Sequence, residues 1–596
     1  MSRERLTPMV LTLGFAFLVA FGPGASPTLA SLTNCTVSGV QSAAPTGVTI
    51  TSATDVPAAS PNPEYCDVLG SLTTTGFGAP DGLANFEEYL PANWNNKFLY
   101  FGCGGLCGSI SLPSAASSQG SEALTKGYAM VATDDGHSAS NPTWGFTPNA
   151  NPALPGTPNE AALVDFFFRS EHEVAVAAKT LAENFFSGTI VRSYYSGCSD
   201  GGREGLVEAY RFPEDYDGMI VGDPYQTQRD ELLHVDAYAA FNKPPNPSLP
   251  IPQSLLSVVD QAVYAECDGI DGVVDGLIQD PLRCNFDPQT LLCQNGNTSN
   301  CLTQAEINAL KTYWSPMVTQ EGQMVLPGWP VSDISPPPTE PFSFTVLYDT
   351  PSVFFIAAQT LIQEVYFTTS FVAENYPISG GVVNDAALEL FDQRTWAAGE
   401  VDPKNLATFL GEGRKLLMYD GFSDQGLPGY QTIMFYEDLA GIDTASNDNN
   451  GHHLGGLYKL RDQARYFLVP GMEHCGGGPG PNVFDTLVPL ENWVESGIAP
   501  DSIIASHYVD DNPSNSVDRT MPLCPFPEQA QYNGTGNVNQ ASSWSCQPND
   551  KTLLKLGQNG IQAGFKLDRD LLQSQFFGSE EHGHGNGHGN GNGHSH

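Results

Sequence analysis

The feature that most restricts the fold of this chain is a serine-containing turn between a β-rich run and a helical pattern. The β-rich run covers residues 191–195, the turn at 197–201 reads Gly-Cys-Ser-Asp-Gly, and helical spacing follows at 202–211. Glycines around Ser199 permit a sharp strand-to-helix turn that holds the serine hydroxyl clear of a sheet. The amide of Asp200 would then point at a developing oxyanion, assisted by the helix N-terminus. G-x-S-x-G alone is a weak signal, but the flanking strand and helix favour a nucleophilic serine.

The segments on either side repeat this alternation of short apolar runs, glycine-rich turns and helical patterns. Apolar runs lie at 97–101, 128–133 and 219–221, and the pattern resumes at 415–419 and 465–469. Short buried strands that alternate with helices are typical of a parallel sheet covered by helices on both faces. We therefore predict the α/β class.

The middle of the chain differs in composition from these flanking segments. It contains proline clusters and four cysteines, and no Lys or Arg lies strictly between Lys311 and Arg394. We predict an inserted domain there, and a disordered tail where the last residues are rich in Gly, His and Asn. The predicted boundaries are 31–225 and 405–577 for the two parts of the main domain, 226–404 for the insertion and 578–596 for the tail.

The N-terminus has the pattern of an export signal. Arg3 and Arg5 precede an apolar run at 10–22, and Thr28-Leu29-Ala30 forms a small-residue exit. The run is too short to span a bilayer core of roughly 30 Å, and a cleavage-like site follows it. We expect residues 1–30 to be a signal peptide and the mature protein to be secreted, either extracellular or periplasmic, without membrane contact. The alternative is an N-terminal membrane anchor.

The net charge of the chain excludes one class of partner. The 25 Lys and Arg residues stand against 66 Asp and Glu residues, for a formal net charge of −41. A field of this sign repels phosphate backbones and anionic membrane surfaces. We therefore expect no nucleic-acid partner.

An even number of cysteines accompanies the export signal. Twelve cysteines in an exported chain predict disulfides, and no pair has the C-x-x-C spacing of a zinc site. Cys198 directly precedes Ser199, and Cys475 directly follows His474. A disulfide between these two cysteines would tie the nucleophile turn to a loop that carries a candidate base.

Histidine and carboxylate partners for the serine lie near the C-terminal apolar runs. A serine nucleophile needs a base, and the base needs an orienting carboxylate; in α/β enzymes the chain order is Ser, Asp, His. His474 follows the run at 465–469 and fits this order. Asp420 and Asp424 both follow the run at 415–419, and the residues alone favour neither. The other candidate bases are His137, His172, His507, and the pair His452 and His453 in an Asn/Gly-rich loop.

Four motifs together resemble those of a known family. They are Gly-Cys-Ser-Asp-Gly-Gly-Arg at 197–203, Gly-Phe-Ser-Asp at 421–424, Gly-Met-Glu-His-Cys at 471–475, and Leu90-Pro91 with Trp94-Asn95. Over residues 31–550 the chain resembles the tannase and feruloyl esterase family, which includes hydrolases of mono(2-hydroxyethyl) terephthalate. The resemblance implies an α/β-hydrolase fold with a large inserted lid domain. The site residues it implies are a triad of Ser199, Asp424 and His474, and a disulfide between Cys198 and Cys475.

The glycine-rich segment 102–108 resembles the oxyanion loop of that family. Glycine suits this position because the backbone must approach the substrate carbonyl closely. The resemblance implies that the amides of Asp200 and Gly105 bind the oxyanion, with Gly104 as the alternative to Gly105. Cys103 and Cys107 depart from the family's common pattern, and we expect a local disulfide between them.

An acidic segment at 267–277 is the second motif that points to a site, in this case one for a cation. Three carboxylates within eight residues repel one another unless a hard cation compensates them; a solvated acidic loop is the alternative. The spacing is not that of an EF-hand, but the segment resembles the calcium loop in the family's lid. The implied ligands of a structural Ca²⁺ are side-chain oxygens of Asp268, Asp271 and Asp275 and carbonyl oxygens of Val273 and Leu277. The resemblance also implies the disulfides Cys267–Cys284, Cys293–Cys301, Cys524–Cys546 and Cys35–Cys66.

Taken together, these features predict a secreted serine carboxylesterase that works through an acyl-enzyme. By resemblance its substrates are feruloyl, other hydroxycinnamoyl or galloyl esters, either small or linked to polysaccharide or tannin. A terephthalate-monoester hydrolase is the alternative within the family, and a serine peptidase is the alternative on the same fold. A non-catalytic binder of plant-wall aromatics is the alternative of another class.

Overall fold

The computed structural model describes residues 32–549 except 116, 243–250, 252, 298, 322–323, 333, 335–352, 371–375, 380, 396–400 and 442–451. The expected signal peptide at 1–30 and the tail at 578–596 lie outside the described residues.

The described residues form fourteen α-helices and nineteen β-strands, numbered in chain order. The helices are α1 (Val37–Ala43), α2 (Ser118–Lys126), α3 (Glu160–Val164), α4 (Ser170–Phe186), α5 (Asp200–Arg211), α6 (Asp230–Asn242), α7 (Gln253–Cys267), α8 (Gln304–Trp314), α9 (Val353–Tyr366), α10 (Asp385–Thr395), α11 (Ala407–Gly411), α12 (Gly429–Leu439), α13 (His452–Leu460) and α14 (Leu487–Ser496). The strands are β1 (Val48–Val56), β2 (Tyr65–Leu72), β3 (Ala84–Pro91), β4 (Lys97–Phe101), β5 (Tyr128–Thr133), β6 (Phe146–Thr147), β7 (Thr157–Pro158), β8 (Arg192–Cys198), β9 (Gly218–Gly222), β10 (Met317–Thr319), β11 (Met324–Leu326), β12 (Ile378–Ser379), β13 (Val382–Val383), β14 (Lys415–Gly421), β15 (Ala464–Val469), β16 (Ile503–Tyr508), β17 (Val517–Leu523), β18 (Glu528–Tyr532) and β19 (Trp544–Pro548).

A nine-stranded sheet forms the centre of the molecule. Its strand order is β1-β2-β3-β5-β4-β8-β9-β14-β15. Strands β5, β4, β8, β9, β14 and β15 run parallel, and β1, β2 and β3 extend the sheet as an antiparallel edge. The carboxyl ends of the parallel strands meet at one edge, where ligand sites of open α/β sheets lie.

Helices cover both faces of this sheet because its central strands are apolar on both sides. In β4, Phe98 and Tyr100 pack into the core that also contains α4 and α5. Leu99 and Phe101 point the other way, into the core formed with α2 and α14. Successive strand residues face opposite sides of a sheet, so a strand buried on both faces is apolar throughout.

A separate unit lies between β9 and β14 in the chain, and we call it the lid. It comprises helices α6 to α10 and a small sheet of order β11-β10-β13-β12, with α6 packed against α8 and α9. After β15 the chain adds α14 and two antiparallel hairpins, β16–β17 and β18–β19. A search of the described helices finds none with the length and apolar character of a membrane span.

Six disulfides are present, so the prediction of disulfides from the cysteine count is confirmed. The structure pairs all twelve cysteines and leaves none free. The pairs are those expected: Cys35–Cys66, Cys103–Cys107, Cys198–Cys475, Cys267–Cys284, Cys293–Cys301 and Cys524–Cys546.

Candidate active site

Ser199 occupies the sharp turn between β8 and α5. Its backbone has φ 64° and ψ −124°, a conformation that a non-glycine residue adopts only when its surroundings impose it. The turn is held because Ser199 N donates to Gly222 O at 3.0 Å, and Ser199 O accepts from Arg203 N at 3.1 Å. Position 201 has no room for a side chain, because a Cβ atom there would lie 2.7 Å from the carbonyl oxygen of Cys103.

A hydrogen-bonded chain connects Ser199 to a histidine and a carboxylate. His474 Nε2 lies 2.8 Å from Ser199 Oγ, and His474 Nδ1 lies 2.7 Å from Asp424 Oδ2. Asp424 Oδ1 accepts from the amides of Gly426 at 2.6 Å and Leu427 at 2.9 Å. Because this carboxylate accepts the proton of Nδ1, Nε2 is the ring nitrogen that is placed to accept a proton from the hydroxyl of Ser199.

The electrostatic surroundings of His474 suit a proton acceptor. Burial by itself would lower the pKa of His474, but the charge of Asp424 and the hydrogen bond it accepts raise that pKa above its ordinary value. A raised imidazole pKa means a stronger base toward the serine hydroxyl.

The structure shows which of the two candidate aspartates, Asp420 or Asp424, contacts His474. Strand β14 continues to Gly421, two residues beyond the apolar run seen in the sequence, so Asp420 lies within the strand and pairs with Leu468 of β15. Its Oδ1 accepts from Thr432 Oγ1 at 3.1 Å. Burial, with the charges of Asp223 and Asp424, raises the pKa of Asp420 well above its usual value. Asp424, in the loop after the strand, is the carboxylate that meets His474.

Three of the other candidate histidines form hydrogen bonds away from Ser199, and the side chains of the remaining two are not among those described. His172 Nδ1 lies 2.6 Å from Asp215 Oδ2, and His507 Nδ1 lies 2.6 Å from Asp518 Oδ1. His137 Nε2 donates to Leu106 O at 2.8 Å. The expectation that His452 and His453 lie in a loop is wrong, because helix α13 begins at His452. The side chains of both residues lie outside the described part of the chain.

Asp223 is a site residue that the sequence reasoning missed. It directly follows β9; its Oδ1 accepts from Gly421 N at 2.8 Å and its Oδ2 from Cys475 N at 2.9 Å. It therefore connects the end of β14, just before the loop of Asp424, and the loop of His474 to the end of β9, beside the Cys198–Cys475 disulfide. The available signal was a carboxylate directly after a short apolar run, the same signal that singled out Asp420.

A cavity of about 400 Å³ opens over Ser199. Gly104 and Gly105 line it, and the directions of their missing side chains are open space. The remaining lining residues are Phe101, Gly102, Cys103, Ser111, Pro113, Gln119, Ser196, Gly197, Cys198, Ser199, Tyr225, Ala357, Tyr419, His474 and Cys475. Aromatic rings, glycine amides and a lid residue therefore surround the serine, an arrangement that accommodates an aryl ester.

Neither Lys nor Arg is among the described residues that line this cavity. Arg203 is fully buried in a bidentate pair with Asp200, with nitrogen–oxygen distances of 2.6 and 3.0 Å. Arg394 donates to Val365 O at 2.9 Å and stacks over Phe367, with 4.9 Å between the guanidinium carbon and the ring centroid. The guanidinium groups of Arg203 and Arg394 therefore both bind groups of the protein itself.

The acidic loop after α7 has buried oxygens that suit a hard cation. Asp268 turns its carboxylate to the amides of Asp275 and Gly276, at 3.0 Å each. Asp271 Oδ2 and both carboxylate oxygens of Asp275 are buried without a hydrogen-bond partner, although Arg519 Nη1 lies 3.6 Å from Asp275 Oδ2. Burial and the charges of Asp275 and Asp268 raise the pKa of Asp271 to about 6. Buried carboxylate oxygens without a hydrogen-bond partner suit Ca²⁺, which prefers oxygen ligands.

Comparison with known proteins gives a consistent result. Residues 66–547 match the family model described as tannase and feruloyl esterase. The chain is 28% identical over 546 residues to the mono(2-hydroxyethyl) terephthalate hydrolase of Piscinibacter sakaiensis, covering 81% of this chain and 85% of that one. It is 29% identical over 464 residues to a probable feruloyl esterase B-2 of Aspergillus flavus, covering 75% and 81%.

A solved structure has the same fold. The crystal structure of feruloyl esterase B from Aspergillus oryzae superposes with a TM-score of 0.68 at 24% identity, over 84% of this chain and 97% of that one. With the sheet described above, this likeness confirms the expected α/β-hydrolase fold with a large inserted lid.

Proposed function

Because this chain belongs to the tannase and feruloyl esterase family of carboxylic ester hydrolases, we propose that it hydrolyses esters of aromatic acids with Ser199 as nucleophile. The observation that carries the proposal is the hydrogen-bonded chain Ser199–His474–Asp424 at the floor of an aromatic-lined cavity. Feruloyl, other hydroxycinnamoyl and galloyl esters are the proposed substrates, free or linked to polysaccharide or tannin.

In the proposed reaction His474 Nε2 takes the hydroxyl proton of Ser199 as its oxygen attacks the ester carbonyl carbon. The amide of Asp200, at the N-terminus of α5, and the amide of Gly105 donate to the oxyanion of the tetrahedral intermediate. His474 then passes its proton to the leaving alcohol, and an acyl-enzyme remains on Ser199. A water molecule then gives a proton to the same nitrogen as its oxygen attacks the acyl carbon. The bond from the acyl carbon to Ser199 Oγ breaks, the acid leaves, and His474 returns the proton to Ser199 Oγ. Throughout, Asp424 holds the imidazole and stabilises its charged form.

Parallel hydrolysis assays and active-site labelling test this proposal. Methyl ferulate, methyl gallate and a terephthalate monoester are compared as substrates, with a peptide amide as the control for peptidase activity. A fluorophosphonate probe should label Ser199. Absence of both hydrolysis and labelling would favour a non-catalytic aromatic-binding protein instead.

The absence of Lys and Arg from the described lining of the cavity predicts a preference for neutral esters. A substrate carboxylate that is desolvated without a cationic partner binds weakly. We expect kcat/KM for methyl ferulate or methyl gallate to exceed that for a terephthalate monoester by about 10-fold or more, a gap of about 1.4 kcal/mol. The dimethyl ester of terephthalate is the matched control, because it keeps the ring and removes the charge. A preference for the anionic monoester over that diester would refute the charge argument.

We also propose a structural Ca²⁺ in the acidic loop, held by side-chain oxygens of Asp268, Asp271 and Asp275 with the carbonyl oxygens of Val273 and Leu277. The unpartnered buried oxygens of Asp271 and Asp275 support it. The ion would offset the repulsion among the carboxylates of the loop and takes no part in the reaction.

Chelation should therefore lower the melting temperature without abolishing turnover at low temperature. An ion bound only by the folded state stabilises it by about 2.7 kcal/mol at 100 times its Kd. Thermal unfolding is measured with chelator, with Ca²⁺ restored, and with Mg²⁺ as the control ion. Asp271→Asn should remove most of the sensitivity to chelator. An unchanged melting temperature after exhaustive chelation would reject the ion.

We propose that the protein acts outside the cytoplasm. The six disulfides among the described residues support an oxidising compartment, where such bonds persist. Sequencing the N-terminus of the protein recovered from culture medium or periplasm tests this, with Ser31 expected as the first residue.

A further inference from the structure

The loop that carries the Gly105 amide is closed into a small ring. The Cys103–Cys107 disulfide spans four residues in sequence, and Gly104 and Gly105 lie inside it. Cys107 N donates to Gly104 O at 3.2 Å within the ring. Two adjacent glycines have the largest backbone freedom of any dipeptide, so an oxyanion donor placed on them needs an external constraint.

Outside the ring, hydrogen bonds hold the loop at both ends. Gly102 N donates to Ser196 O at 3.0 Å, and Gly108 N donates to Asp134 O at 3.1 Å. Within the ring, beside Cys107, Leu106 O accepts from His137 Nε2 at 2.8 Å. These bonds connect the loop to strands and to the segment after β5, but none of them reaches the nucleophile helix α5.

Two side chains of α5 reach the ring. Asp200 Oδ2 lies 3.2 Å from Cys107 Sγ and 3.8 Å from Cys103 Sγ, and Glu204 adds a hydrogen bond to the backbone of the loop. Glu204 lies one helical turn after Asp200 and is 1% exposed. Its Oε2 accepts from Cys103 N at 3.2 Å and from Tyr195 Oη at 3.1 Å. Its Oε1 lies 2.7 Å from Cys103 Sγ and 3.2 Å from Cys107 Sγ. One side chain thus touches the backbone and both sulfur atoms of the ring.

The protonation of Glu204 fits these contacts. Burial, with the charge of Asp200, raises the pKa of Glu204 to about 7, and a hydrogen bond with the buried carboxyl group of Asp135 opposes this rise. Disulfide sulfur atoms carry no proton and accept hydrogen bonds only weakly, so when the carboxyl group of Glu204 is protonated its O–H can point at them. The second oxygen is then the acceptor for the Cys103 amide.

We propose that Glu204 is a positioning residue that couples the two oxyanion donors, because it joins the helix that carries the Asp200 amide to the disulfide ring that carries the Gly105 amide. This inference rests on the proposed esterase function. Oxyanion donors must be held where charge develops in the transition state, so misplacing one lowers kcat more than it raises KM.

The test compares Glu204→Ala with Glu204→Gln and with Glu208→Ala. Glutamine keeps an oxygen for the Cys103 amide and presents N–H to the sulfurs, so it should rescue function. Glu208, one turn further along α5 and also 1% exposed, is the matched control for removing a buried carboxyl group. The readouts are kcat and KM for methyl ferulate, the Kd of an arylboronic acid that forms a tetrahedral adduct on serine, and the melting temperature.

We expect Glu204→Ala to lower kcat by about 10- to 100-fold with KM within about 3-fold, and to weaken the boronate in parallel. Glu204→Gln and Glu208→Ala should keep kcat within about 3-fold of the unmodified protein. A folded Glu204→Ala variant with unchanged kcat, or an equal loss in Glu208→Ala, would overturn the positioning role. An unmodified protein that neither hydrolyses esters nor reacts with a fluorophosphonate would instead overturn the proposed function, and this inference with it.

Opening the ring provides a second route to the same answer if Glu204→Ala does not fold. The Cys103→Ser/Cys107→Ser variant should lose kcat to a similar extent, whereas Cys293→Ser/Cys301→Ser in the lid should not. Combining Glu204→Ala with the open ring should add little, since both changes remove the same constraint. Full kcat in the open-ring variant, or strictly additive losses, would contradict the coupling.

Discussion

Replacing Ser199 with Ala is expected to lower kcat by about 10³-fold or more, because only substrate binding and the oxyanion donors would then contribute to catalysis. The loss should appear in kcat, with KM for methyl ferulate little changed, because the hydroxyl contributes to bond making and not to binding of the aryl group. The protein should remain folded, since the turn is held by backbone hydrogen bonds of Ser199 to Gly222 and Arg203 that Ala keeps.

The measurement is steady-state hydrolysis together with fluorophosphonate labelling and thermal unfolding. Ser423→Ala is a matched control, because this buried serine lies next to Asp424 and its hydroxyl is 2.7 Å from that of Ser332 in the lid. Substantial turnover by a folded Ser199→Ala variant, or labelling at another residue, would show that Ser199 is not the nucleophile.

The second large effect is expected from Asp424→Asn. The substitution keeps the size of the side chain but presents an amide where His474 Nδ1 now donates at 2.7 Å. Losing that carboxylate lowers the pKa of His474, and it favours the tautomer that cannot accept the serine proton. A similar change in an unrelated serine protease lowers kcat by about 10⁴-fold, and we expect a loss of about 10³- to 10⁴-fold here.

Asp420→Asn is the matched control for this change. Asp420 is also buried in the same strand-and-loop segment, but its oxygen bonds to Thr432 rather than to His474. We expect this variant to lose less than about 10-fold in kcat, with any larger effect confined to the melting temperature. The reverse order of the two losses would mean that the carboxylate of the triad has been misassigned.

The choice between these two aspartates shows where sequence reasoning stopped. Both follow the apolar run 415–419, and the spacing alone favours neither. Pairing with β15 extends β14 through Gly421, which turns Asp420 toward Thr432 and leaves Asp424 in the loop beyond the sheet edge. Strand ends depend on the neighbouring strand as well as on local composition, and β14 ends two residues later than the apolar run, so that Asp420 lies within the sheet.

The local geometry of the candidate site could be predicted because it depends on short-range features of the sequence. Glycines beside Ser199 and a strand-to-helix transition are visible in the segment itself, and they produce the turn that the structure shows. The glycine-rich loop 102–108 and the carboxylates of the acidic loop were visible for the same reason. The cysteines beside Ser199 and His474 indicated a long-range connection before any fold was considered.

The sequence by itself therefore determined the α/β class, the sharp turn at Ser199, and a short set of candidate bases and carboxylates. Only the tertiary structure decided how those groups meet, and it added Asp223 and Glu204, which the sequence analysis did not single out. Asp223 binds the amides of Gly421 and Cys475, and Glu204 binds the amide of Cys103. These contacts join segments far apart in the chain, and they form because parallel strands bring their carboxyl ends to one edge in a register that is set by packing between strands.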